Sequence, residues 1–217
     1  MHVVIFAGGT IQPGKAVQVA IASADLFIAA DRGAASALQF GCQPAIVVGD
    51  FDSLDDLPLQ MLKERGCEII QAAVEKDETD TELAIQVACE RGASKITLLG
   101  ALGGARIDHT VANILLLTGF ETMPMRIVDG PAICWLLRGP GHSTFGGHAG
   151  DLLSLFPLAG DAAGVSTTGL YYPLHNDTLR FGKPRGVSNV LTGDQAVVSL
   201  EEGLLLIIHT DSQELQE

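Results

Sequence analysis

Ala45-Ile46-Val47-Val48-Gly49-Asp50-Phe51-Asp52-Ser53 is an apolar run that stops at a glycine and turns acidic. A short β-branched run bounded by a turn signal reads as a buried strand. The carboxylates then stand at the strand's carboxyl end, where open α/β sheets bind ligands. The same transition recurs twice. Lys76-Asp77-Glu78-Thr79-Asp80 follows the run Glu68–Ala72, and Arg106-Ile107-Asp108-His109 follows Lys95–Gly100 across a glycine-rich turn. Three such turns, with Lys76 and Arg106 among the acids, point to a site that gathers metal ions and phosphate.

Outward from that stretch, further strands are expected at Val3–Ala7, Leu26–Ala30 and Met125–Val128. Helical patterns lie between the strands, around Lys15–Ser23, Gly33–Phe40, Leu57–Arg65, Thr81–Arg91 and His109–Thr118. This βαβα rhythm predicts an α/β domain with a mostly parallel doubly wound sheet. Its best-marked helix opens on Thr79 and Glu82 as a capping box, which puts Asp80 in the first turn. Gly92 closes it as a C′ residue. After about Thr122 the texture changes: glycine and proline become frequent, and short β-rich runs recur at Cys134–Leu137, Leu152–Phe156, Ala196–Leu200 and Leu204–Ile208. We therefore expect a catalytic α/β domain over residues 1–122 and an all-β sandwich over 123–217.

Composition narrows the function. At 217 residues and 47% apolar content the chain can bury an ample core. A formal net charge of −13 argues against nucleic acid, whose backbone needs a basic surface. That field would favour a cationic small molecule, and ATP remains open if Mg²⁺ and local cations screen it. No apolar run is long enough to span a bilayer. The chain starts on the strand-like His2–Phe6 with no signal-peptide features, so a cytoplasmic location is expected. Cys42, Cys67, Cys89 and Cys134 are scattered and read as buried free thiols of a reducing compartment.

In an extended backbone Asp50 and Asp52 point the same way, so both can face one ligand. Hard oxygen donors of this kind suit Mg²⁺, which favours one or two carboxylates plus phosphates and water. An Asp-rich turn with Ser53 capping the next helix is the alternative. Asp80 also fits a plain helix cap, and Lys76 fits either a phosphate partner or a solvated lysine. The third cluster is richer. Gly103 and Gly104 let backbone amides approach a phosphate, Arg106 can grip its oxygens in a fork, and Asn113 shares a helical face with His109. No Walker A sequence occurs, and Gly8-Gly9-Thr10 is too short for a dinucleotide fingerprint.

Taken together, Gly49-Asp50-Phe51-Asp52-Ser53, Asp77-x-Thr79-Asp80 and Gly103-Gly104-x-Arg106-x-Asp108-His109-x-x-x-Asn113 resemble the signature set of the thiamine pyrophosphokinase family. Gly186-Val187-Ser188-Asn189 and Gly169-Leu170-Tyr171-Tyr172 resemble its second-domain elements, so the likeness covers nearly the whole chain. The resemblance implies a homodimer with active sites between subunits. It also implies transfer of a pyrophosphoryl group from Mg·ATP to the hydroxyethyl group of thiamine, with release of AMP. By matching positions, Asp50, Asp52 and Asp80 would hold Mg²⁺, and Asp108 would join them or assist removal of the hydroxyl proton. Arg106 and Lys76 would contact phosphate oxygens. Asp31, Asp77, Thr79, Gly103, His109 and Asn113 would complete the nucleotide site, and Ser188, Asn189 and Tyr172 the thiamine pocket. Two positions depart from the family pattern: Ala35 stands where asparagine is frequent, beside an unassigned Arg32, and a tyrosine replaces the frequent tryptophan. A Mg²⁺-dependent nucleotide pyrophosphohydrolase and a non-catalytic thiamine or nucleotide sensor are the competing readings.

Overall fold

A computed structural model describes residues 1–51 and 56–215. By its contacts the chain divides into two compact units, Met1–Gly130 and Pro131–Glu217.

The first unit alternates strand and helix throughout. In chain order it runs β1 (His2–Phe6), α1 (Lys15–Ala22), β2 (Leu26–Ala30), α2 (Gly33–Gln39), β3 (Ile46–Gly49) and α3 (Asp56–Glu64). It continues with β4 (Glu68–Gln71), α4 (Asp80–Glu90), β5 (Lys95–Leu99), α5 (Ile107–Gly119) and β6 (Met125–Asp129). Every pairing among these strands is parallel, in the order β6-β5-β1-β2-β3-β4. Parallel sheets need cover on both faces, so their central strands are apolar at nearly every position. Val3, Val4, Ile5 and Phe6 of β1 are all fully buried, each contributing roughly 1.5–3 kcal/mol of transfer free energy. β4, at the edge, is partly exposed instead. The expected α/β domain is thus present, and its strands and helices fall within a residue or two of their anticipated ends.

α4 shows how closely local signals set an element. The Thr79 Oγ1 accepts the Glu82 N–H at 3.2 Å, and Asp80 opens the helix. Gly92, at φ +81°, ends it in the left-handed conformation that glycine adopts without a Cβ penalty. Thr81, Ala84, Ile85, Val87 and Ala88 turn inward, where α4 packs on β1, β2 and β3.

The second unit is all β, as expected. One antiparallel sheet holds β7 (Ala132–Arg138), β9 (Leu152–Pro157), β12 (Asn189–Val190) and β14 (Leu204–Thr210), and the other β8 (Gly141–Gly146), β10 (Ala162–Thr168), β11 (Asp177–Leu179) and β13 (Gln195–Leu200). Leu153, Leu155, Leu205 and Ile207 from the first sheet form one core with Val165, Leu179, Val198 and Leu200 from the second. β8, β10, β11 and β12 are not among the strands expected from the sequence. β8 has no buried residue, so it lacks the apolar alternation that marks a strand, and its identity comes from six paired positions along β13. Among the described residues no helix is long and apolar enough to cross a membrane.

Candidate functional site

In the first unit β1 has β2 on one side and β5 on the other. The chain therefore winds outward to β4 and returns beside β1 to form β5. Ligands bind open α/β sheets at such a reversal, beyond the carboxyl ends of the strands. A cleft of about 680 Å³ lies there. Its walls come from the turn after β1 (Gly8, Gly9, Thr10), the turn after β2 (Asp31, Arg32), Asp50 after β3, the segment Lys76–Thr81 without Asp77, and the loop and helix start from Gly100 to Asn113.

Close backbone contacts fix this geometry. A Cβ on Gly103 would stand 2.2 Å from the Thr10 carbonyl oxygen, and one on Gly9 would stand 2.2 Å from that of Gly103. Only glycines allow the two turns to touch. α5 then anchors the second turn from below. The Asn113 side chain, 6% exposed, donates from Nδ2 to the Ala101 carbonyl at 2.9 Å, and Thr110 Oγ1 donates to Leu102 O at 3.0 Å. Two acidic turns carry left-handed residues: Asp31 at φ +44° and Phe51 at φ +61°. Such conformations are uncommon outside glycine and cluster where function sets the backbone. The Asp31 N–H donates to Val48 O at 2.8 Å, tying the β2 turn to β3.

Two ion pairs engage residues of the cleft. The Lys76 ammonium lies 2.5 Å from Asp80 Oδ1, with side-chain exposures of 14% and 27%. Arg106 grips Asp108 through Nε, at 2.9 and 3.2 Å, and through Nη2 at 2.5 Å. These hydrogen bonds from Arg106 hold the Asp108 carboxyl down at about 2. Both partners of this second pair are largely solvent-exposed.

The structure thus gathers Asp31, Asp50, Lys76, Thr79, Asp80, Gly103, Arg106, His109 and Asn113 on one cleft. Asp77 and Asp108 stand outside its lining. Asp52 and Ser53 lie outside the described residues. In the second unit, Asn189 spends its amide on the Tyr172 backbone: Oδ1 accepts the Tyr172 N–H at 3.0 Å and Nδ2 donates to the Tyr172 carbonyl at 2.7 Å. Tyr172 is 65% exposed and meets Tyr171 edge-on at 4.8 Å. Ser188, at φ +57°, donates its N–H to Ser154 Oγ at 3.0 Å.

Sequence reasoning set Gly8-Gly9-Thr10 aside as too short for a dinucleotide fingerprint, gave Glu78 and Thr110 no role of their own, and left Arg32 unassigned, yet all of them line the cleft. The Gly-Gly-Thr turn follows the buried strand β1, but the reason for its glycines is the distant Gly103. Among the described residues no three His, Cys, Asp or Glu side chains group closely enough to hold a metal ion by themselves. The donors still fit Mg²⁺, because Asp50 and Asp80 are hard carboxylates on one cleft and that ion takes its remaining ligands from phosphate and water.

The family model described as thiamin pyrophosphokinase, catalytic domain, matches residues 17–128, and the one described as thiamin pyrophosphokinase, vitamin B1 binding domain, matches residues 144–205. A thiamine pyrophosphokinase from Bacillus subtilis is 28% identical over 187 residues, covering 85% of this chain and 87% of its own. A crystal structure of thiamine pyrophosphokinase from that organism superposes with a TM-score of 0.86 over 98% of this chain and 100% of the other, at 28% identity. A thiamin pyrophosphokinase structure from Geobacillus thermodenitrificans gives 0.82 at 29% identity, over 99% of this chain and 100% of its own.

Proposed function

This chain belongs to the thiamin pyrophosphokinase family of enzymes, and from that premise we propose that its cleft transfers a pyrophosphoryl group from ATP to thiamine. The thiamine hydroxyl oxygen forms a bond to the β-phosphorus, the bond from that phosphorus to the bridging oxygen of AMP breaks, and the hydroxyl proton is released. The products are thiamine diphosphate and AMP. The observation that supports this most is the meeting of Asp50, Asp80, Lys76 and Arg106 with a glycine loop at the sheet's reversal point. Phosphoryl transfer depends mainly on positioning and charge stabilisation, and that set supplies both.

Each residue takes a share. The backbone amides of the Gly100–Gly104 turn cradle phosphate oxygens, and Asn113 and Thr110 hold that turn in shape. Arg106 and Lys76 neutralise charge on the transferred group, with Thr79 and His109 beside them and Asp77 at the loop's outer side. Asp31, on the cleft lining, takes part in holding the nucleotide. Asp50, Asp80 and Asp52 would hold Mg²⁺, which when bound would spread the negative charge of the phosphates. Asp108 keeps the Arg106 guanidinium oriented.

The β unit takes thiamine. Tyr172, held by Asn189, offers an exposed ring face to the cationic thiazolium, and Ser188, next to Asn189 in the chain, contributes to the same pocket. The match of residues 144–205 to a vitamin B1 binding domain supports this division, with nucleotide handling over 1–122 and thiamine binding and dimerisation over 123–217. A cytoplasmic homodimer with active sites at the subunit interface completes the proposal.

Incubation with Mg·ATP and thiamine tests it. We expect equimolar AMP and thiamine diphosphate. AMP released at the same rate without thiamine would make the chain a pyrophosphohydrolase, and binding without turnover would make it a sensor.

A further inference from the structure

Lys76 and Asp80 both line the cleft, yet each is the other's partner. Lys76 Nζ lies 2.5 Å from Asp80 Oδ1, and neither side chain is more than about a quarter exposed (14% and 27%). The pair therefore sits where water screens it less than at an open surface. It differs in this from Arg106–Asp108, whose side chains are 69% and 60% exposed. The two partners are also held unequally. Asp80 is the first residue of α4, fixed by the helix and its Thr79 cap. Lys76 lies in the preceding loop, a point charge on a flexible four-carbon stem that can turn to another anion without moving the backbone.

Resting on the nucleotide reading above, we infer that Lys76 is an exchangeable counter-ion of Asp80, which ties divalent-cation binding to phosphate binding. A cation arriving alone must displace the ammonium from the Asp80 carboxylate. Phosphate gives the ammonium a new partner and frees the carboxylate. Cation and nucleotide then bind cooperatively, and linkage makes the effect of each on the other equal. In a chain with net charge −13, which attracts cations generally, such a device keeps the carboxylates from holding a metal that no nucleotide accompanies.

Equilibrium binding tests this on the full chain, with Mn²⁺ followed by paramagnetic resonance and α,β-methylene ATP as the inert nucleotide. In the unsubstituted protein the analogue should tighten Mn²⁺ at least ~10-fold. Lys76→Met should bind Mn²⁺ alone about 5-fold or more tighter, and the tightening by the analogue should shrink by the same factor. Lys76→Gln repeats the measurement with a polar stem. Lys63→Met, on α3, removes the same charge from elsewhere and should match the unsubstituted protein. If both Lys76 variants bind Mn²⁺ alone no more tightly than Lys63→Met, the counter-ion role is wrong, while the nucleotide reading survives. An unsubstituted protein that binds neither Mn²⁺ nor the analogue overturns both.

Discussion

Asp50 carries its charge on the cleft, at the carboxyl end of β3. It follows β3 on a turn, lines the cleft and leaves the packing of the strand to Ile46, Val47 and Val48, which are all buried. Asp50→Asn keeps the shape and removes the charge. We expect kcat to fall by at least ~10²-fold, the scale for losing one charge-stabilising group, with the melting temperature close to that of the unsubstituted protein. A turnover number within a few-fold of normal would remove Asp50 from the metal site. The Arg106–Asp108 pair makes a second residue-level prediction. Hydrogen bonds from the guanidinium hold Asp108 at about 2, below the ordinary 3.8. Because the folded value is depressed, any stability from the pair is present above the ordinary value and lost as pH falls through about 2. The carboxyl should thus stay ionised at every working pH. In Arg106→Met its titration, followed by carbon NMR, should move up toward the ordinary range.

At the scale of elements, α5 holds the glycine loop in place as well as lining the cleft. Asn113→Ala removes the Nδ2 donor that satisfies the Ala101 carbonyl. It should cost ~1–3 kcal/mol by urea denaturation and raise KM for ATP more than it lowers kcat. An unchanged KM would mean the loop keeps its shape alone. In the β unit, Asp151 is fully buried and joins three segments. Its Oδ2 accepts the His148 N–H at 2.8 Å and pairs with His209 Nε2 at 2.9 Å, and its Oδ1 accepts the Ser212 N–H at 3.1 Å. Burial pushes this carboxyl up, but the His148 and Ser212 N–H groups and His209 outweigh it and leave it below the ordinary value. Asp151→Ala should cost about 3 kcal/mol at neutral pH. With a depressed folded value, the deficit should hold above about pH 5 and narrow at lower pH. A pH-independent deficit would mean the carboxylate's charge does not matter. These elements also show what a sequence can reveal. Thr79, Glu82 and Gly92 marked α4 because caps are local chemistry. Gly9 gave no such sign, since its reason is Gly103, far away in the chain. Asp151 and His209 were equally silent, because their pairing depends on two strands meeting.

At the scale of the whole molecule the dominant quantity is the net charge of −13, from 26 acidic and 13 basic residues. Only a few of these charges belong to the cleft, so the rest act at a distance, as a field that draws cations and repels anions. Thiamine carries a positive charge and Mg·ATP a negative one, so the two substrates should respond oppositely to salt. Raising ionic strength from ~10 mM to ~100 mM shortens the Debye length from ~30 Å to ~10 Å. Over that range kcat/KM for thiamine should fall about 3-fold, while kcat/KM for Mg·ATP should hold or rise. The turnover number should barely move, since the ion pairs within the cleft lie closer together than either screening length. An uncharged isostere of thiamine supplies the internal comparison: its KM should be indifferent to salt. If thiamine and the isostere respond alike, the acidic surface serves solubility and takes no part in substrate capture. If only thiamine responds, the charge that argued against nucleic acid in the sequence is also part of how this enzyme finds its acceptor.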